Sequence, residues 1–421
     1  MISGYAHVRL ALYRPAGVRL AAGGALPLFL SLALLGVSPG LAQSKPDSAA
    51  GFATISAKAD AARDAERLDQ AIPLYKAALA MRPAWKEGWW SLGTILYDQN
   101  SYPGAAHAFR RLLAYDPKNG TAHLMLGLCE YQLNLDDSAL QDLQKAKELG
   151  VRKDDQLPQV LLYHEAMLQL RKGQYESALE TLHFLVKEGV HSEELDAALG
   201  MGVLLLRPKN APAHGSPDEQ VILRAGRAEE LSLAKKLDEA RTSYAALVQD
   251  FPQFLNVHYA YGRFLLTVDD PEGGVAQFEE EIKNNPGHTR ARLQIAVTHY
   301  RVDSAAGIPY ALEVVKLDPN YPFGHYLLGL LYYDSGDTAQ SIPELETAAR
   351  MVPQEAQFQF ALGNAYARAG RREDAARARV LFLRLKEKTQ TPGEPTTYGE
   401  QRPLRLDSTG SVPAAEGNKQ P

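Results

Sequence analysis

Apolar residues recur at helical spacing along most of the chain, in stretches of about a dozen that come in twos around a short polar turn. The pattern predicts amphipathic helices joined in antiparallel pairs. Proline punctuates the pairs: Pro83 and Pro117 are 34 residues apart, and Pro252, Pro286, Pro319 and Pro353 follow at gaps of 34, 33 and 34. Each comes after an apolar-periodic stretch ending in a polar or basic residue, as in Tyr115-Asp116-Pro117 and Leu317-Asp318-Pro319. Proline cannot continue a helix, so it fixes the turn into the next unit.

A second set of positions keeps the same period. Trp89, Leu92 and Gly93 are followed by Ala105, Phe109 and Pro117; Tyr261 and Gly262 by Gly274, Phe278 and Pro286; Leu328 and Gly329 by Ser341, Leu345 and Pro353. From each glycine it is twelve residues to a small one, four more to a large one and eight more to proline. Alanine replaces the glycine in Ala59 with Ala71, Tyr75 and Pro83, and in Ala228 with Ala240, Tyr244 and Pro252. A small residue on each helix of a pair, such as Gly93 and Ala105, lets the axes approach to about 8–10 Å. This pattern resembles the tetratricopeptide repeat. The resemblance implies an all-α fold, a right-handed superhelical solenoid of antiparallel helix pairs.

Nine units begin near Phe52, Lys86, Gly120, Gln159, Val221, Leu255, Thr289, Pro322 and Ala356. The third and fourth end in Val151 and Val190, each after a glycine, Gly150 or Gly189. The seventh is one residue short around Ser304–Gly307, and the ninth has Arg379 at the large second-helix position. The period breaks once. Ser192–Leu206 reads as one more helix, with Leu199-Gly200 imitating a repeat start, and Arg207–Asp218 carries Pro208, Pro212, Gly215 and Pro217. The break is a half-repeat with an inserted loop or a linker, a place where one block can pivot on the other; the favoured division is a block over 52–206, a loop over 207–218 and a second block over 219–388, the two packed against each other. Arg379, Arg384, Lys386 and Lys388 supply the polar cap that a terminal repeat needs. Residues 389–421, rich in Pro, Gly, Ser and Thr, are expected to be disordered.

The N-terminus reads as an address. Arg9, Arg14 and Arg19 precede an uncharged run from Leu20 to Ser44, almost wholly apolar from Ala21 to Val37, and then Pro39-Gly40-Leu41-Ala42. This is the order of a secretory signal peptide, expected to be residues 1–42 with cleavage after Ala42 and a short linker over 43–51. The rival is an uncleaved anchor, interrupted by Pro27. The expected location is therefore the periplasm or cell envelope, with no stable membrane span if the signal is cleaved. Cleavage removes three of the 45 basic residues and leaves 50 acidic ones. Such an acidic chain lacks the Lys/Arg surplus of a nucleic-acid binder. One cysteine, Cys129, excludes an internal disulfide framework and any multi-cysteine zinc site.

No catalytic constellation emerges, no cofactor is implied and an enzyme is not expected. His164-Glu165 starts like a zincin helix, but Leu168 stands where the second histidine belongs. Gly200-Met201-Gly202 lacks the third glycine of a dinucleotide fingerprint. Asn119-Gly120-Thr121 matches a glycosylation sequon at an expected inter-repeat turn. His123, His258 and His325 each precede the repeat glycine by four, on different units, which favours packing over metal ligation.

In the family that the repeat resembles, first helices line a concave face and expose residues three before and one, four and five after the glycine. Carried over, this implies a partner-binding groove with Trp90, Tyr97, Leu124, Tyr131 and Tyr163 in the first block. In the second it implies Tyr259, Arg263, Leu266, Arg290, Leu293, Tyr300, Arg301, Tyr326, Leu330, Tyr333, Asp334, Phe360, Asn364 and Arg368. Tyr and Arg dominate binding hot spots, and the arginines suit a carboxylate on a peptide. The expected function is a non-catalytic scaffold that holds a protein or peptide segment. The alternative is an accessory role in envelope polysaccharide synthesis or export, with the groove aromatics stacked on sugar rings.

Overall fold

The computed structural model describes residues 48–152, 156–210, 215–216 and 218–389. The signal, its cleavage site and the C-terminal tail expected from sequence lie outside the described residues. Among the described residues, all regular structure is helical. The chain divides into two compact units, residues 1–168 and 169–421.

The first unit holds α1 (Ser48–Asp64), α2 (Leu68–Met81), α3 (Lys86–Asp98), α4 (Tyr102–Tyr115), α5 (Gly120–Gln132), α6 (Asp136–Leu149) and most of α7 (Leu157–Lys172). The second begins with α8 (Tyr175–Lys187), α9 (Glu193–Val203), α10 (Glu219–Leu233) and α11 (Leu237–Asp250). The pairs α12 (Val257–Thr267) with α13 (Pro271–Asn284) and α14 (Thr289–His299) with α15 (Ser304–Leu317) follow. Two more close it: α16 (Pro322–Asp334) with α17 (Thr338–Met351), and α18 (Ala356–Arg368) with α19 (Arg372–Thr389).

The sequence period is a contact rule. A Cβ on Gly93 would lie 2.8 Å from Phe109, on Gly127 2.9 Å from Leu143, on Gly262 2.7 Å from Phe278 and on Gly329 2.6 Å from Leu345. In each pair the large residue of the second helix fills the space that the glycine leaves. The small residue twelve after the glycine brings the backbones together: Ser341 Oγ donates to the Gly329 carbonyl at 2.7 Å. In the two units where Ala59 and Ala228 replace the glycine, tyrosine replaces phenylalanine or leucine, and its hydroxyl meets the next acid on the first helix. Tyr75 donates to Asp60 Oδ1 at 2.7 Å and Tyr244 to Glu229 Oε2 at 3.0 Å.

The three recurring histidines tie each repeat to the proline turn before it. His123 Nδ1 lies 2.6 Å from Asp142, His258 Nδ1 2.7 Å from Gln277 Oε1 and His325 Nδ1 2.6 Å from Glu344. The other ring nitrogen faces the carbonyl of Pro117, Pro252 or Pro319 at 3.3, 3.2 and 3.0 Å. Units without a terminal proline turn instead on Gly150 and Gly189, whose φ of 82° and 79° only glycine adopts without strain. The short seventh unit absorbs its deletion at Arg301, which takes φ 66° before Asp303 caps α15.

The 207–218 stretch lies within the second unit rather than between units. The helix before it, α9, packs on α10 nearly backbone to backbone. A Cβ on Gly200 would fall 1.9 Å from the Ile222 carbonyl oxygen, and one on Gly226 1.8 Å from that of Asp196. Asn256, in the left-handed region at φ 71°, donates from Nδ2 to the Leu204 carbonyl at 2.6 Å. Stacking therefore runs through α9, so the expected pivot is a packed joint. At the other end, α19 intersperses its basic cap with exposed Val380 and Leu383.

Gly226→Ala is expected to lower the unfolding free energy of the second unit by about 3 kcal/mol, because the obstacle is backbone and cannot give way. Gly363→Ala, whose Cβ would meet nothing nearer than 3.5 Å, should be neutral or raise stability by up to about 1 kcal/mol. Urea unfolding of both variants checks the pair; equal losses would contradict the close α9–α10 joint.

Candidate functional site

Each offset from the repeat glycine has a distinct environment. The position three before it belongs to the core. Leu124, Tyr259, Leu293 and Tyr326 are 0%, 1%, 1% and 6% exposed. Tyr326 packs on Phe358 of the next repeat, ring centroids 4.6 Å apart, and Tyr259 on His288 of the next, 4.9 Å. Tyr259 and Tyr326, expected on the open face, thus join successive repeats; this offset points along the stack toward the next first helix. Phe360 has no following repeat among the described residues, stays exposed, and meets Phe382 at 5.1 Å. In the first unit Trp90 is half-buried, edge-on to Phe109 at 5.7 Å, and its indole N–H meets no acceptor among the described residues. Tyr97 packs edge-on to Tyr102 at 5.5 Å. Buried Tyr131 and half-buried Tyr163 both abut the His164 ring, at 5.0 and 5.4 Å.

On the first helices α10, α12, α14, α16 and α18 of the second unit the residues four and five after the small position, where these helices end, are partly or fully exposed, unlike Tyr131 at the first of these offsets in the first unit. In the second unit these offsets carry two cation–aromatic stacks. The Arg301 guanidinium, exposed, lies 5.1 Å from the centroid of its neighbour Tyr300. Arg368, also exposed, lies 4.9 Å over Tyr333 and donates to the Tyr333 carbonyl at 2.6 Å. Asp334 accepts from Ser304 Oγ at 2.7 Å. Tyr300 and Tyr333 stand four residues after the small position and Arg301 and Arg368 five after it, Tyr333 and Arg368 within the last turns of α16 and α18 and Tyr300 and Arg301 just beyond the end of α14.

The other expected arginines are already engaged. Arg290 on α14 pairs with Glu176 on α8, and its guanidinium also lies 5.9 Å from the Tyr175 ring centroid. Arg263 on α12 is half-buried, within electrostatic reach of Glu176 and Glu229. Glu229 on α10 lies 2.9 Å from His183 Nε2 on α8 and accepts from Tyr244. Burial alone would push the Glu229 carboxyl up, but His183, Arg263 and Tyr244 outweigh it and hold it below the ordinary value. Burial opposes charge on Arg263 and Arg290 as well, yet their acidic and tyrosine neighbours raise both. Sequence reading missed Glu176, His183 and Glu229. Only Glu229 left a trace there, as the residue after the small position with a tyrosine fifteen later, the spacing of Asp60 and Tyr75.

A neutral histidine joins the starts of α12 and α14. His288 Nδ1 accepts from the Ala291 N–H at 3.0 Å as the α14 cap, and Nε2–H donates to Asn256 Oδ1 at 2.8 Å. Burial, with Arg290 and Arg292 adding to it, lowers its pKa to about 4. Buried Glu281 accepts the backbone N–H groups of Asn256 and Tyr259 at 3.0 and 3.3 Å, and burial raises its pKa.

The remaining motifs have structural partners. Asn119 caps α5 by accepting from the Ala122 N–H at 3.0 Å, Glu165 pairs with Lys147 at 2.9 Å, and His164 Nδ1 lies 2.8 Å from the Val160 carbonyl. Burial pushes the Cys129 thiol up to about 12, which leaves it an unreactive core residue. Among the described residues no helix is long and apolar enough to cross a membrane, and no group of three or more His, Cys, Asp or Glu converges as a metal site.

The tetratricopeptide repeat family model matches residues 56–110, 91–156 and 326–380. Among solved structures, a MamA protein is 17% identical over 42% of this chain and 98% of its own, with a TM-score of 0.39. MamA from Desulfovibrio magneticus RS-1 is 20% identical over 40% and 94%, with a TM-score of 0.36. YrrB, described as a TPR protein with an unusual peptide-binding site, is 15% identical over 40% and 87%, also with a TM-score of 0.36. No curated protein matches the sequence.

Because the folded His288 holds its proton less tightly than the unfolded one, its contribution to stability is complete above the ordinary value of 6.5 and falls as pH drops toward about 4. The loss should reach about 1–2 kcal/mol by pH 5. Urea unfolding at pH 7 and pH 5 should show a smaller drop for His288→Gln than for the parent chain; equal drops would contradict the assignment.

Proposed function

Because the chain is a tetratricopeptide-repeat protein, we propose that it is a non-catalytic scaffold that holds a segment of a partner protein against the first-helix ends of α14, α16 and α18. The observation that carries this reading is the pair of exposed arginines over half-buried tyrosines, Arg301 with Tyr300 and Arg368 with Tyr333. A guanidinium over a ring face directs its N–H groups outward in its own plane, where those not already bonded can meet a ligand, and each such contact is worth about 0.5–1 kcal/mol at an exposed site. Tyrosine adds large contact area at low rotamer cost, and the fork pairs with carboxylate in bidentate geometry. The fitting ligand is a peptide segment whose acidic residues are separated by apolar or aromatic ones. The basic, apolar and small-residue order of residues 9–42 supports placing this scaffold in an exported compartment of the cell envelope.

The test replaces Arg301 by Asn, which tolerates its left-handed backbone, and Arg368 by Gln. Cross-linked co-purification of the full chain from its own cells should lose partner recovery at least tenfold in this double variant, with the urea midpoint unchanged. Equal recovery from both chains would refute the reading.

A further inference from the structure

In a regular solenoid each repeat touches only its neighbours. The second helix α8 breaks this rule: its Glu176 pairs with Arg290 on α14, 114 residues along the chain. Three observations place α8 across the first helices of the following repeats. Tyr175 and Glu176, at its start, engage Arg290 on α14. His183, two turns on and on the same side as Glu176, lies 2.9 Å from Glu229 on α10. Between them, Arg263 on α12 sits in the field of both carboxylates. The segment after α8 adds His191, paired with Glu230 on α10. Its apolar side, with Ala178, Leu179, Leu182, Leu185 and Val186, is buried separately, and Leu179 fills the space beside Gly202 of α9. Glu176 Oε2 is buried and meets no hydrogen-bond partner among the described residues, so this polar seam is incompletely satisfied there.

We propose that the face formed by α10, α12 and α14 is a helix-recognition site, held shut by α8 as an internal ligand and opened by a partner helix that presents a carboxylate to Arg263 and Arg290. The inference rests on the scaffold reading and extends it from the open ends of α14–α18 to this covered face. The carboxylate of Glu176 shows the chemistry that the incoming helix must reproduce: an acidic residue toward α14, with a polar group two turns later toward Glu229. An incomplete seam favours exchange, because a competing helix that satisfies both carboxylate oxygens gains what α8 lacks.

The experiment uses the full chain with Glu176→Arg, which repels α8 from the two arginines and leaves the face intact, and Glu176→Gln as a milder variant. The probe is a labelled synthetic peptide copying residues 174–190. Amide exchange across 175–187 should quicken at least tenfold in Glu176→Arg and less in Glu176→Gln, while exchange in α16–α19 stays as in the parent, which establishes that the chain is folded. The peptide should bind Glu176→Arg at least tenfold more tightly than the parent. Unchanged exchange in α8 would overturn the internal latch, and equal peptide binding to parent and variant would overturn the recognition site. Neither outcome bears on the Arg301/Arg368 double variant, so this proposal and the scaffold reading fail separately.

Discussion

Everything in this protein depends on how closely two helices of a pair approach. Glycine or alanine on the first helix and a small residue twelve positions later set that distance, and the large side chain four further on occupies the gap. Gly329 with Ser341 and Leu345 shows all three parts: a backbone carbonyl bonded across the pair at 2.7 Å and a leucine seated 2.6 Å from where a Cβ would stand. Once the separation is fixed, the helical period determines which residue looks where. Three before the glycine lies against the next repeat, and on the first helices from α10 to α18 four or five after it lies at the rim. The histidine four before the glycine reaches back to the preceding proline carbonyl, so one ring sets the angle between units as well.

The same constraint, used differently, produces the one irregularity. At α9 and α10 glycines face backbone carbonyls rather than side chains, and the approach is closer than in any regular pair described above. An unpaired helix enters the stack there without opening it. Its insertion accompanies the lateral placement of α8, which lies over first helices from α10 to α14. A half-repeat thus changes which helix faces which, and a face expected to receive ligands is met by the chain itself.

Much of this was legible in the sequence because the fold is built from local rules. The 34-residue period, the small–small–large triplet and the turn prolines all act within one unit, and the family match rests on them. Histidines at matching offsets were visible, and their partners, nineteen residues later on the second helix, obey the same period. The open face was only partly legible. Reading Tyr259 and Tyr326 as exposed treated every first-helix offset as facing outward, whereas stacking buries the offset nearest the next repeat. Trp90 and Phe360 at that same offset escape full burial, so the residue type alone does not reveal its fate. Glu176 and His183 were invisible for a different reason: their partners are set by α9, whose effect on the course of the stack no local pattern encodes.

The functional account therefore joins an exposed rim of Tyr–Arg stacks to a covered face with its own charged seam, within one continuous second unit. The claim on which the covered face stands is that α8 is held in a single place against the first helices. Spin labels on cysteines introduced at exposed Glu180 of α8 and Lys316 of α15 test it directly, since the native Cys129 is buried and can be replaced by alanine. Pulsed electron double resonance on the free chain should give one narrow distance population. A broad or two-peaked distribution would contradict the account, because α8 would then not be fixed on α10–α14 and the second unit would not be continuous.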